Sequence, residues 1–336
     1  MPANIDSMMY VGKTPWHKEG VALTKPPSIK DALDHAGLNW SVEKRNTYYH
    51  YKENEKFLGS ENSYIQVPNN YVIIRQDTDK PIGTVGRKYE IVQNDEAFKP
   101  FDVLIDYGYE LETAGALQGG KKVWILAKAP EKYMVGDDKM LRYAFLYTSH
   151  DGSSGSCLRD TMVRVVCQNT VDLALRGNKT CNWSIRHTKS IHERIDKITN
   201  QLRVHKGNIK EAVDVMNRMY ESKIHNKSEL TNYFEAVIPR LKERHKESIP
   251  ELGIFTRNTA KPLYEKLVHN FENGIGNNGR SVWDAYQAIT EYYTHNLTGS
   301  EHVWKSQFGS AYKTKIKAFQ IASEMANNQH QKYYMA

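Results

Sequence analysis

The stretch from Leu141 to Leu175, LRYAFLYTSHDGSSGSCLRDTMVRVVCQNTVDLAL, gathers the side chains best suited to chemistry: His150, Asp151, Ser153, Ser154, Ser156, Cys157, Arg159, Asp160, Arg164, Gln168 and Asn169. A serine nucleophile needs a base within hydrogen-bond reach, and His150 with Asp151 supplies the right residue types. Adjacent residues in a strand point to opposite faces, however, and there is no GxSxG elbow. Asp151-Gly152 reads better as a turn in which the aspartate bonds its own backbone. An enzyme built on His150, Asp151 and Cys157 is the weakest reading, and no catalytic residue is assigned.

Metal and nucleotide chemistry find even less support. Cys157, Cys167, Cys181 and His187 are spaced by 10, 14 and 6 residues, which matches no standard zinc arrangement, and His187, His192 and Glu193 miss the HExxH order. Neither a GxxxxGK[ST] loop nor a dinucleotide fingerprint is present, Gly83-Thr-Val-Gly86 being too short for one. No metal and no cofactor is expected.

The arginines suggest anion contact instead. Arg159 stands at the loop exit, and Arg164 lies in an apolar strand between Val163 and Val165. If those valines face inward, Arg164 sits on the other face, where it meets a phosphate in a bidentate fork or pairs structurally with Asp160 or Asp172. Between Arg186 and Lys227 ten Lys or Arg residues face five acids, either a phosphate-lining helix face or a solvated one with pairs such as Glu193-Lys197. Tyrosine outnumbers phenylalanine 21 to 9. Trp16, Tyr48, Tyr49, Tyr89 and Tyr147 are therefore candidates for stacking on unpaired bases, or core rings whose hydroxyls find partners.

The elements that must position these groups follow from periodicity. After a loop at 10–20 that presents Trp16 and His17, Ser28 caps a helix with Asp31 in the capping-box position, ending at Gly37. From Trp40 the period becomes two, giving strands over 40–51, 63–67, 71–75 and 82–92, with turns at Pro68-Asn69-Asn70 and Asp77-Thr78-Asp79. Asn94 is positioned to cap a helix over 95–107 that Pro100 bends or begins. Strands over 109–117 and 121–127 are joined at Gln118-Gly119-Gly120, a hairpin signal. Runs 143–147 and 162–167 then pair across the Gly/Ser-rich loop.

Past Trp183 the apolar positions Ile191, Ile195, Ile198, Leu202, His205, Ile209, Ala212, Met216 and Met219 form a heptad-like seam, which Gly207-Asn208 divides into two helices. Further helices are expected over 228–245, 262–271, 282–295 and 303–325, with Ser228, Ser281 and Ser300 as caps, Gly274 and Gly299 as stops, and a frayed tail over 327–336. The expected class is α+β: an N-terminal, mainly antiparallel sheet with crossing helices over 1–185, followed by a helical region over 186–336.

Composition bounds the rest. The chain has 336 residues, enough for two units, with 40% hydrophobic and 25% charged residues, which excludes a disordered chain. A formal charge of +7 favours a polyanionic partner. Three cysteines without a CxxC pair, no apolar run of membrane-spanning length and no signal-like N-terminus point to a soluble, cytoplasmic protein.

The segments PWHKEG, IGTVGRKYEIVQN, ETAGALQGGKKVWILAK, TSHDGSSG, VRVVCQNTVDLAL, IRHT and WDAYQAITEYYTHN occur in this order along the chain. Together they resemble the phage/plasmid-like proteins grouped as domain of unknown function 932. That resemblance implies a phage or mobile-element origin, hence an infected bacterial host, and no established activity. The layout also looks like the single-strand annealing recombinases of phages, which oligomerise and hold DNA strands in a basic groove without cofactor-driven chemistry. On this basis the expectation is a homo-oligomer that binds single-stranded DNA without contacting membranes. Lys121, Lys122, Arg159, Arg164, Arg186 and Lys189 would hold phosphates, and Tyr147 a base. The alternative is a protein-interaction module, an inhibitor of host defence or an assembly factor, that uses the heptad-like helices.

Overall fold

The computed structural model describes residues 5–12, 19–51, 63–164, 170–172, 183–204, 209–245, 259–296 and 309–335. Expectations for Trp16, His17, Cys167, Gln168, Asn169, Cys181, Ser300 and the helix start at 303 lie outside them. The fold is α+β, with the strands concentrated in the N-terminal half and helices in the C-terminal half.

The larger sheet has eight strands in the order β10-β9-β8-β7-β6-β1-β2, with β11 also pairing β9. Its centre is a meander of β6 (Glu110–Leu117), β7 (Lys122–Val135), β8 (Asp138–Ser149) and β9 (Ser156–Arg164), antiparallel throughout. The expected hairpin closes β6 to β7, with Gln118, Gly119 and Gly120 all at positive φ. β9 starts six residues earlier than its apolar run, because Ser156, Cys157 and Leu158 pair β11 (Trp183–Ile185), and Cys157 and Leu158 pair β8 as well. β1 (Ile5–Val11) lies antiparallel to β6 and parallel to β2 (Val21–Leu23), and β10 (Thr170–Asp172) closes the other edge.

A second sheet has three strands, β3 (Val42–Tyr51), β4 (Ser63–Arg75) and β5 (Lys80–Gly86). The turn expected at Pro68-Asn69-Asn70 is instead a bulge inside one 13-residue strand. Asn69 adopts φ 57° and the β3–β4 register shifts between Asn46 and Tyr48. The extra residues are absorbed there, and Pro68, which has no N–H to give a ladder, sits in the irregular part. The strand expected over 82–92 spans only 80–86.

Helix α1 (Ile29–His35) is capped as expected, Ser28 Oγ accepting the Asp31 N–H at 3.2 Å. The helix expected over 95–107 is two, α2 (Asn94–Phe98) and α3 (Pro100–Asp106), with Pro100 opening the second. Asn94 is the first helical residue rather than the cap, which is Gln93.

The heptad-like seam is not one surface. Ile191 and Ile195 of α4 (Ile191–Val204) enter a first core with Phe98, Phe101, Ile125 and Leu146, while Ala212, Met216 and Met219 of α5 (Ile209–Glu221) enter a second. That second core joins Met140 and Met162 of the sheet to α6 (Lys227–Val237), α7 (Ala260–Asn273), α8 (Val282–Glu291) and α9 (Ser310–Met335). Asn226 caps α6 where Ser228 was expected, Ser281 and Asp284 form a full capping box on α8, and α9 continues to Met335 through the tail expected to fray.

Candidate functional site

The loop between β8 and β9 is a closed polar knot. Ser149 Oγ donates to the Ser154 carbonyl at 2.7 Å and accepts the Ser154 N–H at 3.0 Å, and Asp151 Oδ1 accepts the Ser153 N–H at 3.0 Å. Lys122, buried on the neighbouring strand, reaches Asp151 Oδ1 at 3.3 Å and touches the Ser153 hydroxyl. Burial lowers the Lys122 pKa while Asp151 opposes the shift. Burial works to raise the Asp151 carboxyl, but hydrogen bonds from Ser153 and the Lys122 charge leave it lowered. β5 seats directly on this loop. A Cβ at Gly83 would stand 2.5 Å from Asp151 Cα, so only glycine permits the approach.

His150 is fully buried behind the loop. Asn94 Nδ2 donates to the carbonyls of Leu38 at 2.9 Å and Trp40 at 3.3 Å, which fixes Asn94 Oδ1 as an acceptor. His150 Nε2, 2.8 Å from it, must carry the proton, and Nδ1 is a buried lone pair without a hydrogen-bond partner. Burial pulls the His150 pKa down to about 3, with His187 acting in the same direction. His187 Nδ1 donates to the Glu90 carbonyl at 3.1 Å, so its Nε2 accepts from Thr148 Oγ1, also 3.1 Å away. The Thr148 hydroxyl then accepts from Ser156 Oγ at 2.8 Å. These groups are spent on positioning the strand ends, and they join α2, β5, β8, β9 and the segment after β11 into one seat.

Four of the residues expected at a nucleic-acid surface are enclosed. Arg164 is 1% exposed; its Nη2 meets Asp138 Oδ2 at 2.6 Å and the Gly276 carbonyl at 2.5 Å, and Nη1 meets Asn277 Oδ1 at 2.7 Å. Trp283 Nε1 donates to the same Asp138 oxygen at 2.8 Å. The phosphate fork is therefore corrected to an internal fork that fastens β8 and β9 to the link between α7 and α8. The acidic partner in this fork is Asp138, on the neighbouring strand.

On the opposite face of the sheet, Arg159 is buried with its guanidinium 4.2 Å from the ring of Tyr312 on α9 and 5.0 Å from that of Tyr147. Tyr147 is buried as well, and Lys122 lies in the loop knot. Alternation separates Arg164 from Val163 as expected, but Arg164 is the more enclosed of the two; Arg159 and Tyr147 lie under α9, and Lys122 under the loop.

Lys121, Arg186 and Lys189 are exposed, and the knot draws them to one end of the large sheet. The Lys121 carbonyl accepts the His150 N–H at 2.9 Å, the Tyr89 hydroxyl donates to the Ser149 carbonyl at 3.0 Å, and the Tyr89 ring stacks on His187 at 4.8 Å. The Glu90 N–H donates to the His187 carbonyl at 3.2 Å. Exposed Arg87 and Lys88, which sequence reasoning missed, precede Tyr89 and so join the same rim. Lys44 Nζ donates to the carbonyls of Arg87 at 3.0 Å and Tyr89 at 2.9 Å, fastening β3 to it. Of the candidate stacking rings, Tyr48 and Tyr49 are exposed on β3, whereas Tyr89 is half-buried.

The rim and the polar knot behind it fall largely within residues 81–329, which match the family model described as Domain of unknown function (DUF932). The chain belongs to the DUF932 family. The match begins in β5 and ends in α9, so it takes in the meander, the loop knot, the Arg164 fork and the helical region of this DUF932 protein, and leaves out β3 and β4. No curated protein and no solved structure matches the chain. Among the described residues no helix is long and apolar enough to cross a membrane, and no group of three or more His, Cys, Asp and Glu side chains is placed to hold a metal ion.

Proposed function

We propose that this DUF932 protein binds single-stranded nucleic acid, with phosphates held along the rim of Lys121, Arg186, Lys189, Arg87 and Lys88. The observation that carries the reading is convergence. Five exposed cations from three separate segments are drawn to one sheet end by the hydrogen bonds of the loop knot, in a chain of net charge +7. A polyanion meeting such a rim releases counterions, so binding is salt-dependent. A phage or mobile-element setting, assembly into a homo-oligomer and the annealing of two strands are the finer form of this proposal and rest on the family resemblance.

The test is fluorescence anisotropy of labelled single- and double-stranded oligonucleotides over a salt series. Binding of single strands that tightens as salt falls, in preference to the duplex, supports the reading. No binding at low salt overturns it.

A further inference from the structure

Beyond β5 the small sheet narrows to a two-stranded arm. β5 pairs β4 only over residues 70–75, while β3 and β4 continue together through Tyr48↔Gln66, Tyr49↔Ile65 and His50↔Tyr64. All six of those residues are exposed, so neither face of the ribbon is covered. Alternation puts Tyr48, His50, Tyr64 and Gln66 on one face and Tyr49 and Ile65 on the other. Tyr48 is 51% exposed, Tyr49 49%, Tyr64 67% and Ile65 43%, with the His50 and Tyr64 rings 5.4 Å apart, edge to face. A bare two-stranded ribbon is marginal in water, and exposed rings gathered on one are a signature of a contact surface.

We infer that this arm is a stacking element for unpaired nucleobases, an assignment that rests on the nucleic-acid reading of the neighbouring rim and extends it from phosphates to bases. What favours a nucleic-acid strand over another occupant is continuity: the root of the arm joins the basic rim, because Lys44 on β3 is bonded to the backbone of Arg87 and Tyr89. A strand whose phosphates follow the rim thereby brings its bases to rings that present a π face and a polar tip. Stacking of this kind accepts any base and requires that it be unpaired, which makes the arm the source of preference for single strands.

The experiment compares the wild-type chain with Tyr48→Ala/Tyr64→Ala and Tyr48→Phe/Tyr64→Phe, using labelled oligothymidylate and an abasic strand of equal length across a salt series. Both rings are exposed, so circular dichroism and Tm should match the wild type. The alanine pair is expected to lose affinity for oligothymidylate by about fivefold or more per ring, with its salt dependence unchanged, and the phenylalanine pair to retain it. The wild type is expected to bind the abasic strand more weakly. Equal affinity of the alanine pair and the wild type for oligothymidylate overturns the arm assignment and leaves the rim reading standing. A change of sedimentation behaviour in the alanine pair without loss of DNA affinity assigns the arm to a second copy of the chain and likewise overturns it. No binding by the wild type overturns both readings.

Discussion

Acid should destabilise this fold through His150, and the size of the effect follows from its surroundings. The ring is fully buried, its Nε2–H is committed to Asn94 Oδ1, and its Nδ1 lone pair has no hydrogen-bond partner to stabilise an added proton. Its pKa in the folded chain is pulled down to about 3, against about 6.5 when unfolded. The unfolded chain therefore takes up a proton below about pH 6.5 that the folded chain refuses, and stability falls as pH drops from there toward about 3. At about 1.36 kcal/mol per unit, His150 alone removes about 2 kcal/mol at about pH 5 and about 4 kcal/mol by about pH 3. The smaller loss is already a substantial part of the roughly 5–15 kcal/mol that holds a domain folded.

The perturbation to make is His150→Gln, which keeps an amide donor for Asn94 and cannot titrate. Urea unfolding at about pH 7.5 and about pH 5 gives the change in stability for each protein, and the difference between those changes isolates His150. The wild type should lose about 2 kcal/mol more than the variant over that interval. His187, whose pKa burial also lowers, is present in both proteins and cancels. Equal losses would show that the ring is not held neutral by its enclosure, and would remove the argument that the loop knot is a rigid seat.

Three further outcomes follow from the contacts. Arg164→Met should cost about 3 kcal/mol or more in urea unfolding, because Asp138 and the carbonyl of Gly276 lose their buried donor, whereas a surface arginine would cost a fraction of that. Ser281→Ala should lower stability by about 1 kcal/mol by opening the capping box on α8, read as a lower Tm. Gly83→Ala should weaken the seat of β5 on the loop by about 1–3 kcal/mol, since the new Cβ meets the Asp151 backbone rather than a side chain that can turn away. Hydrogen exchange at Ser153 and Ser154 would report that loosening.

Local signals were legible and coverage was not. Ser28 with Asp31, the Gln118-Gly119-Gly120 turn and the start at Pro100 each rest on one or two residues whose backbone preference has a single good use, and the structure uses them so. The residues at Pro68-Asn69-Asn70 suit a turn and a bulge alike; what separates the two is whether pairing resumes with the same partner, a tertiary fact. Arg164 and Arg159 show the larger difficulty. Alternation places a side chain on a face but does not say what lies over it: Arg164 meets the link between α7 and α8, and Arg159 meets Tyr312 of α9. The described ends of the seam entered different cores, Ile191 and Ile195 the first and Ala212, Met216 and Met219 the second. The arm did leave a trace, since TYYHY puts rings at both parities and so lacks the polar face of a half-buried strand; Tyr64 was missed because its partner across the ladder is 14 residues away.

The most direct test of the central claim is the salt dependence of single-strand binding by Lys121→Gln/Arg186→Gln/Lys189→Gln beside the wild type. Three lost phosphate contacts should make the slope of log affinity against log salt shallower by about 2, at about 0.7 per contact, in a protein whose unfolding is unchanged. A slope equal to that of the wild type would contradict the account, and would mean that the rim is a solvated surface.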